Sequence, residues 1–196
     1  MVQHCVATCA RGYGVLFTGV GTEMGNHQHA ARLNAIGNRI YSPSAAGIWV
    51  CALSQHSSVS AVVLRDNLVR GGPFKAAGIG ATGAVSDLLI ENNRVEDIKG
   101  QSALFLRPDN WNRPRDVRML RNRIARCETD EPQIALIQAL GDDIQVRGNR
   151  VTGGTFPALV WADGQRVVLS DNSGGSMTGP RKYRTERAVA PKIDDP

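Results

Sequence analysis

The sequence predicts an all-β fold, a parallel β-helix solenoid of about six to seven coils. Three observations carry this expectation. A short motif ending in asparagine occurs six times along the chain. Its apolar residues alternate with period 2, the signature of strands rather than helices. The composition is low in aromatic residues (5%) and rich in glycine (21 residues), which suits thin stacked layers better than one large globular core.

The motif reads apolar, any residue, apolar, two residues, Asn. Leu33 and Ala35 lead to Asn38, Val62 and Leu64 to Asn67, and Leu88 and Ile90 to Asn93. Val117 and Met119 lead to Asn122, Ile144 and Val146 to Asn149, and Val167 and Leu169 to Asn172. Successive asparagines are 29, 26, 29, 27 and 23 residues apart, shorter than the roughly 33 to 45 residues of helical repeats. Two residues past the Asn stands another apolar residue (Ile40, Val69, Val95, Ile124, Val151), replaced only in the last copy by Gly174. The alternation changes phase at the Asn, so the chain turns a corner there. The Asn is expected to adopt the left-handed conformation of a tight corner and to hydrogen-bond its equivalents above and below.

Each coil carries a third strand led by a small residue: Gly14-Val15-Leu16-Phe17, Gly47-Ile48-Trp49-Val50, Gly78-Ile79-Gly80-Ala81, Ala103-Leu104-Phe105-Leu106, Ala135-Leu136-Ile137 and Ala158-Leu159-Val160-Trp161. Trp49 and Trp161 are expected in the core or at coil-end packing. Length variation falls in the loop before this strand.

These coils resemble those of right-handed parallel β-helix proteins of the pectate-lyase-like superfamily, whose asparagine ladders line one turn. The resemblance covers roughly Val2 to Gly175. It divides the chain into a solenoid over 1–175, with its first coil incomplete, and an extended C-terminal tail over 176–196 rich in Gly, Pro and charge. Cys5 stands where the first coil would place an Asn. No amphipathic segment covers that end, so a cap from further chain or from a second copy, as in the trimers of some proteins it resembles, is expected.

The net charge of +5 suits an anionic partner. No Lys/Arg block with interleaved aromatics occurs, which disfavours nucleic acid. No run approaches the roughly 18 apolar residues of a membrane span. Met1 to Val15 lacks the basic start and apolar run of a secretory signal. Cys5, Cys9, Cys51 and Cys127 form no CxxC pair and are expected as buried free thiols.

Counting from each Asn locates the candidate sites. One residue after it lie Arg39, Leu68, Arg94, Arg123 and Arg150, a cationic row able to fork onto carboxylates or sulfates unless Glu91, Glu96 or Asp97 neutralises it. Six residues before it lie Asp87, Asp116 and Asp143. Stacked carboxylates can share protons or bind Ca²⁺, and they are the candidate catalytic row; Asp is equally a residue of turns. The loop from Arg107 to Arg115 combines Trp111 with Asp109 and Arg107, a mixture suited to sugars. His27, His29 and Glu23 form a weaker metal candidate.

The resemblance implies polysaccharide lyase or glycoside hydrolase chemistry, or a tailspike-type role. The family's enzymatic signatures are missing: there is no Gly-His-Gly beside paired acids, no Arg-x-Pro-x-x-Arg and no Tyr-Gly-Phe-Asp-Pro-His. Asp142-Asp143 is a tandem acid without the accompanying His and Arg-Ile-Lys. The expected function is therefore interaction with an acidic polysaccharide, with cleavage left open. The alternative is a non-catalytic structural or attachment module, such as a virion spike subunit or a cell-surface solenoid.

Overall fold

The computed structural model describes residues 1–8, 12–19, 28–73, 75–129, 134–177, 183–185 and 193–194. These residues form strands and turns only, wound as a parallel β-solenoid of about five turns. That is fewer than the six to seven coils expected, because six asparagines bound five full turns and the flanking coils are partial. Each turn contributes one strand to each of three parallel sheets, A, B and C, of eight, seven and seven strands. The coil containing Asn93 is representative: Val85–Glu91 joins sheet A, Arg94–Glu96 joins sheet B, and Leu104–Arg107 joins sheet C.

The motif's apolar positions stack coil on coil. Leu64, Ile90, Met119, Val146 and Leu169 pair in register along sheet A. Ile40, Val69, Val95, Ile124 and Val151 do so along sheet B, and Ile48, Ile79, Leu104, Ile137 and Val160 along sheet C. All fifteen are buried, forming one continuous column. Full burial of such a side chain stabilises by about 1.5–3 kcal/mol, so the column is the main source of stability. The small residue leading each sheet C strand follows from the same packing. A Cβ at Gly47 would collide with Val69, and one at Gly78 would stand 2.8 Å from Val95 Cγ1.

The asparagines form the expected ladder. Asn122 is typical: Oδ1 accepts the Asn93 backbone N–H (2.9 Å) and Asn93 Nδ2 (3.0 Å), while Nδ2 donates to the Ile90 carbonyl (3.0 Å) and to Asn149 Oδ1 (2.9 Å). The ladder starts at Cys5, whose N–H donates to Asn38 Oδ1 at 3.0 Å and whose carbonyl accepts from Arg39 as the asparagines' carbonyls do. The left-handed residue, however, is the one before each Asn rather than the Asn itself. His4, Gly37, Asp66, Asn92, Arg121, Gly148 and Asp171 have φ from 48° to 66°. This division frees the Asn side chain to point inward while its neighbour makes the bend.

Two outward features differ from expectation. Trp49 lies on the outer face of sheet C, half-buried, stacked on Tyr13 (centroids 5.1 Å apart) with Nε1 donating to Thr82 at 3.0 Å. Trp161 shares that outward row, because the inward positions belong to Ile48, Val50, Val160 and Ala162. Cys51 and Cys127 are buried free thiols, but Cys5 is exposed at the end of the ladder, and Cys9 lies outside the described residues. Beyond the last Asn, Tyr183–Thr185 pairs with the sheet C strand Val160–Asp163 and Ile193–Asp194 with the sheet A strand Val168–Ser170.

Candidate functional site

Sheet B carries the arginine row. In its strands from Arg39–Tyr41 to Arg150–Phe156 the second residue enters the core, so the residue before it faces outward. Arg94, Arg123 and Arg150 therefore stack in register on three adjacent strands, all exposed. Leu68 separates them from Arg39. Compensation reaches only part of this face. Arg94 contacts Glu96, Arg121 contacts Glu91, and Arg126 Nε lies 2.7 Å from Asp97. Among the described residues, Arg39, Arg123 and Arg150 have no carboxylate within 4 Å. Arg121, Arg123 and Arg150 line one shallow depression with Asn92, Gly148 and Asp171, the last paired with Arg147.

Glu96 organises the other end of the face. It points outward yet is 0% exposed, because arginines from three coils cover it. Arg70 donates through Nε (2.9 Å) and Nη2 (2.7 Å) to Oε2, Arg94 contacts Oε1, and Arg126 Nη2 lies 3.5 Å away. Burial pushes the Glu96 carboxyl up, and the Arg70 and Arg94 guanidiniums more than reverse this, holding it below the usual carboxylate range. Glu96 is one of the three carboxylates the sequence offers the arginine row; Arg94 stands two residues away on its own strand, and the register of neighbouring coils adds Arg70 and Arg126.

The aspartate row lies on sheet A and has a backbone role. Asp87, Asp116 and Asp143 all have left-handed φ, between 48° and 55°. The same position in other coils is Arg32, Ala61 and Arg166, also left-handed, so each strand of sheet A bends there. Asp is among the residues that tolerate this conformation. The three side chains line a shallow groove with Arg118, Gln145 and Arg166. Asp143 is held by Arg166, whose hydrogen bond lowers the carboxyl's pKa.

The loop from Arg107 to Arg115 is split by the structure. Arg107 turns onto sheet C, where Nε donates to Gln138 (2.7 Å), Nη2 to Gln101 (3.0 Å), and the guanidinium lies over Phe105 at 5.2 Å; burial lowers its pKa. Asp109 shapes the loop, its Oδ1 accepting the N–H groups of Trp111 (2.8 Å) and Asn112 (2.6 Å). Arg113 ties the loop to a later coil through the Asp163 carbonyl at 2.9 Å. Trp111 is left 57% exposed and lines a groove with Ser58, Ser86, Arg115 and Asp142 of sheet A. The predicted residues thus divide among three faces. The aspartate row and Trp111 are neighbours on sheet A, the arginine row faces another direction on sheet B, and Arg107 belongs to sheet C.

His29 lies on sheet A with both ring nitrogens occupied by serines, while His27 and Glu23 lie outside the described residues. Among the described residues, no three His, Cys, Asp or Glu side chains are grouped to hold a metal ion. No family model matches this sequence, and no curated protein is significantly similar to it.

Proposed function

We propose that this solenoid binds an acidic polysaccharide along the arginine row of sheet B, with the polymer running parallel to the solenoid axis. The observation that carries the proposal is a contrast within one face. Arg70, Arg94, Arg121 and Arg126 each hold a carboxylate, whereas Arg123 and Arg150, neighbours in register, hold none within 4 Å among the described residues. Like charges opposite one another on adjacent strands, about 4.8 Å apart, destabilise a sheet. A chain bearing carboxylates or sulfates relieves that repulsion and accepts forked hydrogen bonds. The groove beside Trp111 offers the same ligand class an aromatic platform.

Two forms of the proposal differ in chemistry. A lyase or glycoside hydrolase would use an acid of the Asp87, Asp116, Asp143 row; the other form is a non-catalytic attachment or structural module. The second is favoured by the bend that these aspartates share with Arg32, Ala61 and Arg166, and by the Arg166 contact on Asp143. The test is a panel of acidic polysaccharides, followed by binding, by ultraviolet absorbance of unsaturated ends and by reducing ends. Binding lost in an Arg123→Ala/Arg150→Ala variant without products supports attachment. Products abolished by Asp116→Ala support the enzyme, and no binding to any polymer rejects both.

A further inference from the structure

We infer a second chemistry on sheet A: hydrolysis of an ester carried on a sugar, with Ser60 as nucleophile and His29 as its base. Ser58 and Ser60 are alternate residues of the strand Ser57–Arg65 and face outward together, either side of the buried Val59. His29, exposed on the neighbouring strand Gln28–Ile36, lies between them. Its Nδ1 is 2.9 Å from Ser58 Oγ and its Nε2 is 3.0 Å from Ser60 Oγ. With hydrogen on Nδ1, the ring donates to Ser58 and accepts from Ser60. That is the geometry of a nucleophile paired with a base that a third group orients.

Ser58 also joins this pair to a binding surface, because it lines the groove under Trp111 together with Ser86 and Arg115. Ser60, Ser86 and Arg115 are consecutive in register on adjacent strands. Arg115 therefore stands two strand spacings, about 10 Å, along the row from the nucleophile, and lines the groove with its register neighbour Asp142, so the two supply polar contacts to the saccharide rather than to the reacting carbon. An exposed indole beside amide and guanidinium groups suits a sugar ring, so the substrate class is an O-acylated saccharide.

The steps balance with water as the only co-reactant. Ser60 Oγ bonds to the acyl carbon as its proton passes to His29 Nε2. The bond from that carbon to the sugar oxygen breaks, and the sugar leaves with the proton. Water, giving a proton to Nε2, then releases the carboxylic acid and restores the Ser60 hydroxyl.

The full chain would be treated with a fluorophosphonate probe, mapped by peptide mass spectrometry, and assayed with p-nitrophenyl acetate. Expected are labelling of Ser60, hydrolysis that falls to background in Ser60→Ala, and a rate lowered by about 10²- to 10⁴-fold in His29→Ala. Labelling elsewhere only, labelling undiminished by His29→Ala, or hydrolysis equal in wild type and Ser60→Ala would overturn the inference. Acetate release from O-acetylated xylan tests the groove: Trp111→Ala should lower kcat/KM about tenfold, and an unchanged value removes Trp111 from the site. The reporter ester is read without polysaccharide, so its outcome is independent of the arginine-row proposal.

Discussion

Replacing Asn122 with alanine tests the ladder at its middle. The amide is fully buried and makes four hydrogen bonds with neighbouring coils. Alanine leaves the Asn93 backbone N–H and one Asn93 amide hydrogen without an acceptor, and the Ile90 carbonyl without this donor. Each buried unsatisfied group costs about 1–3 kcal/mol, so the loss from these three should total about 3–9 kcal/mol. That is a large part of a stability of about 5–15 kcal/mol and, at about 2–4 °C per kcal/mol in a chain of this size, lowers the melting temperature by at least about 6 °C. Thermal and urea unfolding by circular dichroism measure it. The control is Asn92→Gly, one residue away: Asn92 is exposed and left-handed, and Gly37 and Gly148 already occupy that position in other coils. It should change stability by less than about 1 kcal/mol. An Asn122→Ala loss as small as the control's would refute the assignment of stability to the ladder amides.

Three further outcomes are expected. Gly78→Ala should destabilise by about 1–3 kcal/mol, since a Cβ there meets Val95 and the Ala103 carbonyl; a neutral result by urea titration would show that sheet C can move away from sheet B. Glu96 has a folded pKa below its unfolded value of about 4.3, so it stabilises above that pH and the contribution is lost as pH falls through the folded pKa. Glu96→Gln should therefore unfold more easily at pH 7 and lose less stability than wild type between pH 5 and pH 3; parallel pH profiles would contradict this. Burial pushes the Cys127 thiol up to about 12 and raises Cys51 as well, whereas Cys5 is exposed. Brief iodoacetamide treatment at pH 8 should alkylate Cys5 and spare the other two, as peptide mapping would reveal.

The solenoid is legible in the sequence: the six asparagines, their strand-period flanks and even Cys5 at the first ladder position can be counted there. Repeats make this possible, since each coil contacts its neighbours in one register and one motif reports that register everywhere. The same count aligned the arginine and aspartate rows correctly. What it missed depended on direction and partners. Trp49 and Trp161 read as core or coil-end residues because a strand's two faces look alike when both are apolar, and only the burial of Ile48 and Val160 beside them shows that they face outward. The aspartate row stayed open between stacked acids and turn residues, and only the left-handed φ that it shares with Arg32, Ala61 and Arg166 shows that the strand bends there. The His29–Ser60 pair had no signal, because it joins side chains 31 residues apart in sequence, and Glu96, one of three carboxylates offered as partners for the arginine row, could not be singled out from Glu91 and Asp97 by spacing. Which arginines lie over a buried carboxylate, and which have none within 4 Å among the described residues, depends on the neighbouring coil's side chain at one register position and so follows only from the folded stack.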